Sequence, residues 1–466
     1  MSLATEDLPA AEIALAVKAG AVGAREVVTT ALARIEARKA LGAFTDVTAA
    51  RALAKADAID GARARGEALG ALAGAPFAVK NLFDIEGLPT RAGSKINREL
   101  PPAKADATLV ARLEAAGAVL VGGLNMGEYA YDFTGENAHD GPSRNPHDPG
   151  HMSGGSSGGS GTAIASGMVP LALGSDTNGS IRVPSSLCGI FGLKPTYGRL
   201  SRARTFPFVA SFDHLGPFAR SVRDLALAYD AMLGPDASDP ALADVSPNPV
   251  AANLEQGVGG LRMARLGGYF AKTGEPAAFE AVERVAKALG AARVVEFPQA
   301  ERARASGYLI TMVEGAALHL ERLRKRGADF DPDVRDRLIA GAMLPGGWVV
   351  KAQKFRSWFR HAIGEVMKDF DIVLAPATPC RAPRLGQKTM VLDGQEMLVR
   401  PNLGLFTQPI SFIGLPVATV PVWTTGERLP IGVQIIAAPW REDLVLRVAR
   451  ALEAQGVVSA PIAGIG

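Results

Sequence analysis

The sequence predicts an α/β protein: one large domain with a mixed central β-sheet covered by helices on both faces. Three observations predict it. Strand-like apolar runs alternate with helix-like segments from residue 75 onward, the same alternation returns after residue 371, and no internal repeat divides the chain. Strands drawn from both ends of the sequence imply one interwoven unit over 1–466. Its parts are a helical layer at 10–70, a core at 75–230, a mainly helical stretch at 260–370 and a return to the sheet at 371–466.

Residues 10–70 are dominated by Ala, Leu, Arg and Glu at helical spacing. Leu15, Val27, Leu32 and Ile35 mark apolar faces, and Gly20 and Gly42 mark breaks, which predicts three helices. A short buried strand follows at 75–79 and ends at Lys80-Asn81. A helix is expected over 106–116, stopped at Gly117, and then a strand at 118–121. The Gly- and Ser-rich run to residue 161 reads as a loop, opening onto a small-residue helix at 162–166 and a strand at 168–173. Residues 234–258 carry Pro, Asp and Ala without period, as a surface connection does. A strand at 261–266, a helix at 279–289, helices across 300–370, strands at 372–375, 417–422 and 432–437, and a helix at 443–455 complete the reading.

At 466 residues the chain can bury a large core, and 48% hydrophobic with 21% charged residues is ordinary for a soluble globular protein. Fifty basic residues against 47 acidic ones leave a net charge of +3, scattered along the chain. A nucleic-acid binder concentrates its charge in a stripe, so direct nucleic-acid binding is not expected. The first residues lack the basic and apolar regions of a secretory signal, and the most apolar stretch, 161–173, is too short to span a bilayer. Cys188 and Cys380 are far apart and read as reduced thiols of a cytoplasmic protein, with Cys188 as buried filler. The six histidines form no metal-binding spacing, so no metal is expected.

The chemistry concentrates in the run Ser153-Gly-Gly-Ser-Ser-Gly-Gly-Ser-Gly161. It admits four readings: a flexible linker, a phosphate cradle, a nucleophile elbow centred on Ser156, and one part of a larger constellation. A linker does not usually open straight onto an apolar helix. A cradle lacks the expected Gly-Lys-Ser/Thr. An elbow needs a preceding strand and a histidine partner, for which His214, His319 and His361 are candidates. The constellation adds a second serine in a second glycine-bearing turn, Gly174-Ser-Asp-Thr-Asn-Gly-Ser-Ile-Arg-Val-Pro184, and Lys80 at the end of an apolar strand. A serine hydroxyl needs a base, and lysine serves only when neutral. From a reference of ~10.4 that takes a depression of roughly three pH units, about 4 kcal/mol, from burial and neighbouring positive potential. The bland reading of Lys80 is a side chain snorkelling out at a strand end.

Lys80, GGSSGG at 154–159, DTNGSIRVP at 176–184 and CGIFGLKPTYGRLS at 188–201, with DIVLAP at 371–376 and LPIGVQ at 429–434, resemble the amidase signature family over nearly the whole chain. The resemblance implies an amide hydrolase with Ser180 as nucleophile, Ser156 as proton relay and Lys80 as base, working through an acyl-enzyme without metal or organic cofactor. It also implies a cis peptide at Gly155–Ser156. The backbone N–H groups of Thr177, Asn178, Gly179 and Ser180 suit an oxyanion hole. Ser157 is expected to support the loop, and Asp176 with Arg182 to brace the turn. Asn178, where the family commonly has glycine, leaves the pocket's shape open, and Asn81 stands where the family often has Asp.

NLFDIEG (81–87), AGSKIN (92–97), FDHLGPFARSV (212–222) and PIGVQIIAAPW (430–440) resemble in particular the carboxybiuret hydrolase branch. That implies a small, anionic, urea-like amide substrate such as 1-carboxybiuret, release of ammonia, and a small helical companion subunit. Whether copies of the chain associate is left open. The branch is similar to the glutaminase component of tRNA-dependent amidotransferases, so such a component and an amidase of purine or ureide catabolism are the alternatives. Arg91, Arg182 and Arg204 are the candidates to meet an anionic group.

Overall fold

In the computed structural model, which describes residues 7–464, eleven strands form one sheet. Across the sheet they run Phe44–Val47, Val119–Leu124, Pro76–Lys80, Leu171–Asp176, His214–Ala219, Phe191–Lys194, Val417–Val422, Ile431–Ala437, Ile372–Pro376, Met263–Leu266 and Arg293–Val295. The C-terminal strand Val417–Val422 pairs with Phe191–Lys194, so the two ends of the chain share one ladder and one core. Parallel pairs lie on both flanks, antiparallel pairs in the middle and one antiparallel pair at the Phe44–Val47 edge, which makes the sheet mixed.

The central strands are apolar on both faces because helices flank the sheet; every residue of Pro76–Lys80 and Leu171–Asp176 is buried. The three N-terminal helices, Ala10–Lys18, Ala24–Ala37 and Ala49–Ala64, form as their spacing predicts. The four-residue strand Phe44–Val47 between the last two was not anticipated. It is half-exposed at the sheet's edge and has no long alternation to reveal it. The mainly helical stretch consists of Ala300–Arg326, Pro332–Ala342 and Gly346–Val366.

Two departures near residues 153–176 matter for chemistry. The small-residue helix begins at Gly158, not at 162, and so absorbs glycines that composition assigns to a loop. A Cβ on Gly159 would stand 2.4 Å from the Ala43 carbonyl and 2.6 Å from the Asn125 nitrogen, so this glycine is there for close approach. The strand expected at 168–173 instead runs Leu171–Asp176, which places Ser175 and Asp176 at its C-terminal end beside Lys80. No helix among the described residues is long and apolar enough to cross a membrane.

Candidate active site

Strand Pro76–Lys80 and its parallel neighbour Leu171–Asp176 end side by side. Lys80 is fully buried, its Nζ lying 2.6 Å from Ser156 Oγ and 2.9 Å from Ser175 Oγ. It does not snorkel. Burial pulls the ammonium down to about 7, against the carboxylates of Asp213, Asp176 and Asp132, which act in the opposite direction. The positive neighbours expected from sequence are therefore not the cause. Desolvation alone does it, because charging an amine with no water around it is costly.

Ser156 reaches Lys80 from a loop threaded through the interior. The Gly155–Ser156 peptide is cis, and the Ser156 carbonyl accepts from Gly127 N. Gly155 has no room for a side chain, since a Cβ there would stand 2.3 Å from Asp132 Oδ2. The Ser157 hydroxyl donates to the Ser175 carbonyl at 3.2 Å and ties the loop to the neighbouring strand.

After Asp176 the chain turns through 177–181 into the helix Arg182–Cys188, and the turn carries Ser180, 2% exposed. Asp176 organises it. Its carboxylate accepts from the backbone of Ile181 and Arg182 and from both Nε and Nη2 of Arg182, at 3.0 and 2.9 Å. Burial works to raise this carboxyl, and the Arg182 guanidinium, with Lys194 and His214 behind it, overcomes that and holds it well below the usual carboxylate range. Thr177 donates to Asp213 at 2.6 Å, and the Asn178 side chain donates to Thr311 on helix Ala300–Arg326 at 2.9 Å. The backbone N–H groups of Thr177, Asn178, Gly179 and Ser180 donate to no other described residue. Gly179, at φ +147°, lies where a Cβ would be 2.2 Å from Thr407 Oγ1, so the main chain stays bare at this turn.

A small pocket opens beside Ser180, bordered by Tyr131, Asn178, Tyr308, Thr311 and Arg337. None of the three arginines expected to meet an anion lies there. Arg182 is wholly enclosed by Asp176, Gln434, Ser411 and the Thr407 carbonyl. Arg91 is engaged by Asp46 and Asp140. Arg204 is exposed on the wall of a neighbouring pocket, which shares Ala130 and Phe208 with the one beside Ser180. Sequence reasoning missed Tyr131 and Arg337, because neither stands in a motif and they are far apart in the chain.

The elbow reading of Ser156 fails on geometry. His214 is buried against the carbonyls of Phe212 and Asp176, His319 is packed between Tyr129 and Phe206 with its ring pulled down to about 3 by burial, and His361 is exposed. None of them bonds Ser156. Cys188 is a buried thiol that burial pushes far up, unsuited to attack.

The amidase family profile matches residues 26–446. This chain belongs to the amidase signature family. It is 56% identical, over 96% of its length and 98% of the relative's, to AtzE, a component of the 1-carboxybiuret hydrolase of Pseudomonas sp. (strain ADP). It is 38% identical, over 97% and 96%, to the GatA-type component of the glutamyl-tRNA(Gln) amidotransferase of Anaeromyxobacter sp. (strain K). Among solved structures, one described as a vestigial protein complex bearing on the origins of an s-triazine catabolic enzyme matches with TM-score 0.96 and 55% identity, covering 97% of this chain and all of that one. The corresponding amidotransferase component of Thermotoga maritima matches with TM-score 0.83 at 28% identity, covering 100% and 99%. As an amidase, this chain is a hydrolase of C–N amide bonds.

Proposed function

We propose that the chain hydrolyses the amide bond of a small urea-like or ureide substrate of the 1-carboxybiuret or biuret type, with Ser180 as nucleophile, Ser156 as relay and Lys80 as base. The observation that carries this reading is the 2.6 Å contact between a fully buried Lys80 Nζ and Ser156 Oγ, with the amine pulled down to about 7 and so about half neutral, and available as a base, near neutrality. In the forward step Ser180 Oγ adds to the substrate carbonyl while its proton passes through Ser156 to Lys80. The oxyanion is met by backbone N–H groups of residues 177–180, which are free of competing acceptors among the described residues. The proton returns to the leaving nitrogen, ammonia departs, and water, deprotonated by the same relay, releases the acyl group. No step requires a metal or organic cofactor.

The substrate class is carried over from the relative at 56% identity. That the solved structure at 55% is a protein complex supports a partner, and a small companion subunit is what the resemblance to the carboxybiuret hydrolase branch implies. A cytoplasmic setting without membrane or direct nucleic-acid contact belongs to the same reading. The relatives at 38% identity keep a glutaminase role as the second reading. Ammonia release measured across biuret derivatives, ureides, simple amides and glutamine separates the two. Turnover of a biuret-type or ureide substrate by the chain is expected. Activity on glutamine alone, and only with a partner present, overturns the proposal in favour of the glutaminase role.

A further inference from the structure

Against the desolvation that keeps Lys80 neutral stand three buried carboxylates, those of Asp213, Asp176 and Asp132. Each favours the charged amine, which cannot accept a proton. Two of them are answered close by. Asp176 is closed by Arg182 at 2.9 Å, with Lys194 and His214 behind it. Asp213 accepts from the Thr177 hydroxyl and from the N–H groups of Phe208 and Val209, with Arg202 nearby. Asp132 is answered from a distant part of the chain.

Asp132 lies against the loop that carries Ser156, since a Cβ on Gly155 would stand 2.3 Å from its Oδ2. It accepts from the Thr134 N–H and hydroxyl at 2.9 and 2.8 Å and from the Gly135 N–H at 2.6 Å, all neutral donors. Its ion pair among the described residues is with Arg400 Nη1, at 2.7 Å. Arg400 belongs to the short helix Val399–Asn402, which follows the hairpin of Thr389–Leu392 with Gln395–Leu398. Met390 and Leu392 of that hairpin share a small apolar cluster with Phe133, the neighbour of Asp132 in sequence, and this anchors the guanidinium. Arg400 Nη2 also meets Asp333 at 3.1 Å and Glu136 at 3.7 Å, with Asp331 nearby. Lys388 stands 3.7 Å from Asp333, and Arg337 donates to the Tyr131 carbonyl. The Asp333 side chain is 49% exposed and that of Asp132 not at all, so water screens the first and leaves the second to Arg400. Taking the cation away would leave an uncompensated buried charge beside the catalytic loop.

We propose that Arg400 is a positioning residue that acts through Asp132: it cancels the negative charge beside the Gly155–Ser156 loop, so that Lys80 stays neutral and can take the Ser180 proton through Ser156. Arg400 does not itself depress the amine. It removes one of the influences that oppose desolvation. The inference rests on the proposed role of Lys80 as base. It gives the segment 389–402, whose two strands lie outside the main sheet, a part in setting the pH at which the site works.

The rate of fluorophosphonate labelling of Ser180, followed across the neutral and alkaline range, reads the base without a substrate. Arg400→Gln is expected to raise the midpoint by about 0.5–1 pH unit, the lower end of what a nearby charge does. At the wild-type midpoint labelling should then fall about twofold to fivefold, and recover fully above the new one. A loop that was merely displaced would lose rate at every pH. Arg400→Lys should return the midpoint to within about 0.3 unit of wild type, and Asp333→Asn, at the exposed partner, should move it no further than that. Asp132→Asn should lower the midpoint by about 0.5–1 unit, alone and combined with Arg400→Gln, and carries the test if Arg400→Gln does not fold. An Arg400→Gln midpoint that stays or falls, a loss of rate equal at all pH values, or an Asp132→Asn midpoint that does not fall overturns the proposal. Failure of the base itself shows separately, as wild-type labelling that ignores pH and survives in Lys80→Met, and it overturns this inference as well.

Discussion

Replacing Ser180 with alanine is expected to lower kcat by roughly 10⁴–10⁶-fold, the range seen when a covalent nucleophile is removed from a hydrolase. The protein should remain folded, because the Ser180 side chain makes no hydrogen bond to any described residue that would hold the turn. That work falls to Asp176, which binds the Ile181 and Arg182 backbone and the Arg182 guanidinium. Ser156→Ala should cost a comparable factor, since Ser156 Oγ is the only hydroxyl of the two serines in contact with Lys80 Nζ. The double variant should be little worse than either single one, because groups that act as a unit are non-additive. Steady-state ammonia release from the best substrate of the panel measures all three. A Ser180→Ala protein retaining a tenth of wild-type kcat would remove Ser180 from the chemistry.

Lys80→Met is expected to abolish activity and yet raise the melting temperature. Bringing a buried lysine from 10.5 in the unfolded chain to about 7 in the folded one costs about 5 kcal/mol at neutral pH, at ~1.4 kcal/mol per pH unit. The folded state holds its proton less tightly than the unfolded state. The penalty is therefore fully present below about 7 and fades as the pH rises toward 10.5. Methionine has a similar volume and carries no charge into the interior. Against the gain stand two lost contacts, to Ser156 and Ser175, worth about 1 kcal/mol each. A net stabilisation of about 2–3 kcal/mol is expected at pH 7, shrinking toward pH 10. Differential scanning fluorimetry against pH reads it, and a lower melting temperature at pH 7 would mean that the lysine stabilises the fold.

The architecture was legible in the sequence wherever a pattern ran long. Val417–Val422 forms where its apolar run puts it, and 300–370 is mainly helical as read, divided into three helices whose bounds the sequence left open. Short elements escaped: Phe191–Lys194 and His214–Ala219 are four and six residues long, and glycine, with proline in the second, interrupts their apolar runs. The hairpin Thr389–Leu392 with Gln395–Leu398 did leave a signal, Asp393-Gly394, whose two positive φ angles are those of a type I′ turn. At the site, Lys80, Ser156 and Ser180 stand out because each ends or interrupts a patterned segment. Their environment did not. That desolvation and not positive charge depresses Lys80, or that Arg182 is walled in by Gln434 and Ser411, depends on residues brought together from distant parts of the chain.

A neutral amine at Lys80 that activates Ser180 through Ser156 is the centre of the proposed chemistry. It is tested most directly by following the rate of fluorophosphonate labelling against pH and mapping the modified peptide. A single label on Ser180 is predicted, with a rate that rises through a midpoint near 7 and is lost in Lys80→Met. A label on Ser156, or a rate on Ser180 that ignores both pH and the loss of Lys80, would contradict it.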